Sequence, residues 1–369
     1  MHVIVLKENL GKALSIVGKI VSIRPQLPIL SNILLKAENH KLLLKATNLE
    51  IGMIYEVAAK IEKEGETTVP GKLITDFINT LNSDKIEIIL DDKKLIIKTN
   101  KSHASFSITN PTDFPTFPSL TDQKKSLPIE KLKGAIIRTV FAASIDESRP
   151  VLTGVKTIIK NGKISLSATD GYRLSMDYIE IPDKKEDLNV ILPATSLLEV
   201  VRAAQETKNE EVIFNIIENK NQVVFTLPNI SIYTRLIDGE FPNIEKIIPQ
   251  GFKTKVTINK EEFTRSVKTA SLFARNAANI IKVKIEKQGI RLSANTPQIG
   301  ENEDFIEAKV EGEVIETAFN YRFLLDLLAN FPDDNVVFES SGSLSPGVFK
   351  PEKTNLSFLH LIMPVRIQE

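Results

Sequence analysis

Hydrophobic and polar positions along the chain trace one pattern that is written three times. A helical stripe opens it: Leu10, Ala13, Leu14, Val17, Ile20 and Val21 keep the i, i+3, i+4, i+7 spacing of one apolar face. The same slots recur as Leu132, Ala135, Ile136, Thr139, Ala142 and Ala143, then as Phe263, Ser266, Val267, Ala270, Phe273 and Ala274. Two strands follow each stripe. Asn161 with Gly162 tolerates positive φ and predicts a tight hairpin; Glu38, Asn39 and His40 serve the first copy, and Gln288 with Gly289 the third. A second helix then aligns without a gap over residues 69–81, 192–204 and 319–331, with an acid in one slot throughout: Asp76, Glu199 and Asp326. Alternating strands close each copy, at 85–90 with 95–98, 211–217 with 222–227, and 335–339 with 356–362.

The most distinctive stretch is residues 164–176, ISLSATDGYRLSM, a strand running into a polar turn. Weaker versions stand at 42–53 (LLLKATNLEIGM) and 290–299 (IRLSANTPQI), and only the middle copy has Gly171, Tyr172 and Arg173 together. An added role for that copy is expected. Proline-rich breaks at 111–118 and 242–249 divide the chain into domains at 1–118, 126–249 and 250–369. The period, about 120–130 residues, far exceeds the roughly 20–50 residues of a solenoid unit. The expected class is therefore α+β: three tandem domains, each with two helices packed on antiparallel sheets.

Composition narrows the function. Of 369 residues, 42% are apolar and 25% charged, as in an ordinary globular protein. Lys plus Arg and Asp plus Glu both total 47, so any electrostatic role must come from the distribution of charge. With no cysteine and four scattered histidines, disulfides, thiolate chemistry and a histidine metal cluster are not expected, nor is any cofactor. No apolar run reaches membrane-span length and the N-terminus lacks the pattern of a signal peptide, so the cytoplasm is the expected compartment.

Five ordered marks carry a resemblance over nearly the whole chain. They are Arg24 and Pro25 with Leu27, Pro28, Ile29 and Leu30; RPVLTG at 149–154; ATDGYRL at 168–174; Phe241 and Pro242 followed by Ile248 and Pro249; and Met363, Pro364, Val365 and Arg366. In these the chain resembles the bacterial sliding clamps, the β subunits of the replicative DNA polymerase III. The resemblance implies DNA-clamp domains, a head-to-tail homodimer forming a six-domain ring, and helices lining a hole for duplex DNA. It implies a processivity factor without catalytic residues, whose partners are encircled double-stranded DNA, the replicative polymerase catalytic subunit, an ATP-dependent clamp loader and other replication and repair proteins, with no membrane.

Three surfaces follow from it. The six helical segments carry only a slight basic excess, which suits sliding better than a tight grip on phosphates. Candidate DNA contacts are Lys12, Lys19, Arg24, Lys72, Arg138, Arg149, Arg202, Arg265, Lys268 and Arg322. The implied peptide pocket between the second and third domains uses Leu152, Thr169, Gly171, Tyr172, Arg173, Leu174, Pro242, Lys246, Ile247, Leu361, Met363, Pro364, Val365 and Arg366. Tyr172 stands where the family often has histidine and Lys246 where it often has arginine, so the polar rim departs from the common pattern. For ring closure, Lys93, Lys94, Lys98 and Lys101 in the first domain face a counter-charge in Glu301, Glu303, Asp304 and Glu307 of the third. The resemblance adds apolar contacts of Phe106 and Ile108 with Leu272 and Phe273; without it, Phe106 and Ile108 read as core positions on an alternating strand.

Two other classes remain open on the sequence alone. An enzyme would have to use Asp170 with Arg173, or Asp146 with Glu147, yet no phosphate loop, metal cluster or nucleophile with histidine accompanies them. A multidomain peptide-binding adaptor that does not encircle DNA would share the pocket but not the ring.

Overall fold

The computed structural model describes all residues except 23–24, 121–124, 182–186, 207–208, 218–219, 277, 298, 354–356 and 367–369. Six helices stand among the described residues, two per repeat: α1 (Lys7–Val17), α2 (Gly71–Thr80), α3 (Ile129–Val140), α4 (Ala194–Glu206), α5 (Lys260–Ala274) and α6 (Tyr321–Ala329). Each repeat enters its first helix by the same device. A strand runs antiparallel to the one that follows the second helix, with Leu6 opposite Lys85, Pro128 opposite Glu211, and Asn259 opposite Asn335. The helix begins at the next residue, and its first N–H donates across to the neighbouring strand. Lys7 N reaches Asp84 O at 3.0 Å, Ile129 N reaches Glu210 O at 2.9 Å, and Lys260 N reaches Asp334 O at 2.8 Å. One of the N–H groups that every helix start leaves unpaired is thus satisfied by tertiary structure. α5 adds an Asn259 side chain accepting from Glu261 N and Glu262 N, and α6 an Asn320 side chain accepting from Arg322 N.

The stripe expected through Val21 is cut short. α1 ends at Val17 with Gly18, a poor helix former, as its C-cap, although Ile20 still reaches the core. The hairpins at Asn39 with His40 (φ 48° and 62°) and Asn161 with Gly162 (φ 52° and 76°) form as expected. The third hairpin differs. Gly289 lies inside the strand Gly289–Thr296 without positive φ, and a Cβ there would sit 2.1 Å from the Ile306 carbonyl oxygen. Its glycine serves close strand approach, not turn geometry.

The chain forms two compact units, residues 1–130 with 199–236 and residues 131–198 with 237–369. The first holds a five-stranded and an eight-stranded antiparallel sheet, the second a nine-stranded and a four-stranded one. In both, a strand from one repeat pairs with the last strand of the next. Ile51–Ala58 pairs with Ile230–Arg235 in the first unit, and Arg173–Glu180 with Leu359–Ile362 in the second. The helices lay their apolar stripes on the sheets: Phe263, Val267 and Ala270 of α5 meet Leu324, Leu327 and Leu328 of α6 over Ile281, Val283, Ile290 and Leu292. Each of these side chains larger than alanine, fully buried, contributes roughly 1.5–3 kcal/mol. Among the described residues no helix is long and apolar enough to cross a membrane, and no group of acidic or histidine side chains is arranged to hold a metal ion.

A buried histidine stands out in this second unit. His360 is fully buried opposite Ser175, stacked on Phe141 at 5.2 Å, and neither ring nitrogen has a hydrogen-bond partner among the described residues. Burial, reinforced by the Arg173 charge, pushes its pKa down to about 3 from 6.5. The unfolded chain therefore binds this proton at a pH where the folded chain does not, and stability is lost as pH falls through that window.

Two outcomes are expected. Gly289→Ala should lower stability by about 3 kcal/mol in urea denaturation, because the clash is with backbone rather than a movable side chain. His360→Phe should gain on the parent protein by about 2 kcal/mol when the same measurement is moved from roughly pH 7.5 to roughly pH 5.

Candidate functional site

The turn at 169–173 is built by its own side chains. The Thr169 hydroxyl donates to Arg173 O at 2.6 Å and accepts from Gly171 N at 3.1 Å; Asp170 Oδ1 accepts from Tyr172 N at 2.9 Å and Arg173 N at 3.0 Å. Gly171 takes φ +93°, which a side chain rarely adopts. Arg173 is buried and locks the turn to α6. It donates to Asp170 Oδ2 at 3.0 Å and Asp326 Oδ2 at 2.6 Å, with its guanidinium 4.7 Å from the Phe323 ring centre and 5.7 Å from that of Phe141. Thr169 and Arg173 thus shape the site from within, and Tyr172, 66% exposed, is left facing outward.

Beneath the turn lies an apolar floor. Leu174 and Leu361 stand opposite each other and pack with Ile244 and Val348, flanked by Met176, Phe241, Ile248 and Leu359. Ile244 belongs to the 3-10 turn Ile244–Lys246, so Pro242, Lys246 and Ile247 are carried over this floor with their side chains exposed. Met363 N donates to Tyr172 O at 2.8 Å, placing a 38%-exposed Met363 beside the turn, and Val365 N donates to Ala318 O at 2.8 Å. Pro364 is half-buried and Arg366 exposed, while Leu152 is buried in the 3-10 turn Pro150–Thr153, outside the floor cluster. An open groove of about 440 Å³ lies alongside, lined in part by Ile248, Val348, Phe252 and Lys350. The arrangement offers apolar anchoring sites with few polar groups, suited to an extended peptide.

Sequence reasoning overlooked Ile244, Val348 and Phe241 as floor residues and Phe323 as the platform for Arg173. The acid slot shared by the second helices did mark Asp326, but nothing in the spacing joined it to Arg173.

Basic side chains separate into two groups. Lys19, Lys72, Arg149, Arg265, Lys268 and Arg322 are exposed with no ion pair among the described residues. Lys12 is paired with Glu206 at 3.0 Å, Arg138 with the buried Asp177 at 2.5 Å, and Arg202 with Glu199. Arg24 lies outside the described residues.

The strand edges hold the remaining candidates. His103–Ser107 ends the five-stranded sheet of the first unit, and Gly300–Glu307 ends the four-stranded sheet of the second. Phe106 is buried against Phe77, ring centres 5.5 Å apart, and Ile108 is half-buried. Leu272 is 58% exposed, whereas Phe273 packs partly into the core beside Gly300. Lys98 is half-buried; Glu301 and Glu303 are exposed, with Glu303 held by Arg291 at 2.6 Å, and Asp304 points to the opposite, half-buried face.

Comparison with known proteins gives this geometry its context. Family models described as the N-terminal, central and C-terminal domains of the DNA polymerase III beta subunit match residues 1–118, 126–243 and 245–366. A beta sliding clamp from Staphylococcus aureus is 31% identical over 360 residues, 94% of each chain. The DNA polymerase sliding clamp of Bacillus subtilis superposes with a TM-score of 0.94 at 27% identity, covering 100% of both chains. The sliding clamp (DNA polymerase III subunit beta) of Pseudomonas aeruginosa, solved bound to griselimycin, does so at 0.92 and 27%, again over 100% of both. With three tandem domains of one α+β fold matched end to end, the chain belongs to the bacterial DNA polymerase III β subunit family, the sliding clamps.

Proposed function

We propose that two copies of this chain associate head to tail into a ring of six similar domains, divided near residues 118–126 and 249–250, that encloses duplex DNA. The observation that carries this reading is an unfinished series of strand pairs. In the first two repeats the strand after the hairpin pairs with the last strand of the following repeat. In the third repeat the corresponding strand, Gly300–Glu307, is an edge, and so is the last strand of the first repeat, His103–Ser107. A second copy supplies the missing partner to each. Charge supports the same pairing, with Lys93, Lys94, Lys98 and Lys101 near one edge and Glu301, Glu303 and Glu307 along the other.

A sliding clamp is a non-catalytic processivity subunit, and no residue here needs a reactive role. The exposed Lys19, Lys72, Arg149, Arg265, Lys268 and Arg322 would meet phosphates through few, exchangeable contacts; the ion-paired Lys12, Arg138 and Arg202 would contribute less, and we keep Arg24 in the set on its motif. The turn at 169–173 with Met363, Ile247 and the Leu174 and Leu361 floor would take an extended peptide of the replicative polymerase catalytic subunit and, in exchange, of other replication and repair proteins. An ATP-dependent loader would open the ring, and the cytoplasm is the compartment this role requires.

Leu272→Glu should convert the dimer to monomer in analytical ultracentrifugation without unfolding it, because Leu272 is exposed in the single chain and would be buried on closure. A persistent dimer would place the interface elsewhere. Protein loaded on circular DNA should stay bound until the circle is cut, whereas an adaptor would leave at the same rate from both forms. Met363→Ala with Ile247→Ala should weaken the polymerase catalytic subunit's binding about tenfold or more in surface plasmon resonance, with the dimer intact.

A further inference from the structure

The first repeat contains a second copy of the site-forming turn. The Thr47 hydroxyl donates to Ile51 O at 2.9 Å and accepts from Leu49 N at 3.0 Å; Asn48 Oδ1 accepts from Glu50 N at 3.0 Å and Ile51 N at 2.8 Å. These four bonds reproduce, atom for atom, those of Thr169 and Asp170 around Gly171 and Arg173. In the third repeat the loop is one residue shorter, with Thr296 opposite Gly300, and the Thr296 hydroxyl donates to Phe273 O instead. Two turns of three are therefore alike.

Beside the first turn, within the first unit, lies an open groove of about 480 Å³, lined by Leu49, Glu50, Gly52, Phe117, Gln222 and Tyr233 among others. We propose that this groove binds a short extended peptide segment carrying one apolar anchor next to a basic residue.

Three features point to that occupant. Leu49 holds φ +78° where the matching residue of the second repeat is Gly171, and its side chain is 49% exposed. A leucine kept in a left-handed conformation that glycine would adopt without strain, yet only half-buried, marks a side chain wanted at the groove mouth. Gln222 lines the groove with its side-chain oxygen shielded from water and lacking a hydrogen-bond partner among the described residues. A buried acceptor left unmade is costly, and a peptide N–H is the donor that would satisfy it. The Phe117 and Tyr233 rings, packed edge to face at 4.9 Å, form the apolar part of a wall shared with Thr47, Thr116 and Gln222, and the one ionisable carboxylate among the lining residues is Glu50. That charge favours a cation beside the anchor.

The parallel rests on reading the 169–173 turn as one wall of a peptide pocket, and the test separates the two sites. The full-length protein, labelled at Leu, Ile and Met methyl groups, is titrated with acetyl-Phe-Lys-amide and followed by methyl NMR. Saturable shifts are expected at the Leu49 and Ile54 methyls, with acetyl-Phe-Glu-amide binding there roughly two- to fivefold more weakly. Leu49→Gly and Gln222→Leu should each abolish the response at Ile54 while leaving the melting temperature equal or higher, since one relieves strain and the other removes an orphaned acceptor. Met363→Ala with Ile247→Ala should leave the Ile54 response unchanged. Shifts at Met363 alone would overturn this inference and spare the second-repeat pocket; shifts at Leu49 and Ile54 alone would do the reverse. No saturable shift at tens of millimolar, or a response at Ile54 that survives both groove variants, would refute the proposal.

Discussion

Backbone hydrogen bonding across repeats is the constraint from which the rest of this molecule follows. A strand edge exposes a row of N–H and C=O groups and invites pairing with whatever edge it meets. Here the first and second repeats each give such an edge to the last strand of the next repeat, Tyr55 facing Ile230 and Leu174 facing Leu361. Three repeats in series satisfy two junctions and leave one unpaired edge in the first repeat, His103–Ser107, and one in the third, Gly300–Glu307. Two edges of opposite charge would favour head-to-tail pairing with a second copy over the pairing of like edges. The proposed ring is thus the arrangement in which the pairing rule inside the chain also holds between chains.

The same junctions shape the two turns that border the proposed peptide sites. Where a strand leaves its turn to meet the next repeat, the turn must be rigid, because its carbonyls and N–H groups set the start of the ladder. Thr169 with Asp170, and Thr47 with Asn48, supply that rigidity with one hydroxyl and one side-chain oxygen each. What differs is the residue at the left-handed position. Gly171 adopts it freely, and Leu49 bears a cost of about 1–2 kcal/mol. Arg173 adds an anchor the first turn lacks, since Ile51 stands in its place and makes no ion pair. The second turn is therefore tied to a helix through Asp326, and Met363 can be held against it.

Much of this was legible in the sequence, and the remainder has identifiable physical reasons. Six helices followed from period, and the turn Asn161 with Gly162 from its residue types, because both signals are local. Gly289 misled because glycine next to a polar residue looks the same whether it allows positive φ or a close neighbour 2.1 Å from a would-be Cβ. α1 ran shorter than its stripe because Gly18 caps it, while Ile20 is buried from the turn that follows. Which basic residues are free was not legible at all: Arg138 lies on a helix face as exposed in pattern as Arg265, and only the fold brings it to Asp177. The candidate pocket mixed two kinds of residue for the same reason, since Thr169, Arg173, Leu174 and Leu361 support what Tyr172, Ile247 and Met363 present.

That pairing of basic residues bears on how a clamp can hold DNA and still move. Each phosphate neutralised by a lysine or arginine adds close to one unit of salt dependence and a share of the free energy that must be surrendered at every step along the duplex. Three of the nine described candidates, Lys12, Arg138 and Arg202, already have carboxylate partners within the protein. Their charge is partly cancelled where it stands, and for Arg138 the partner is a buried Asp177 that would be costly to abandon. The remaining six are exposed and spread over both units. Side chains of this kind would attract the backbone without fixing a register on it, so in the proposed ring retention would come from enclosure and therefore from the two strand junctions between copies.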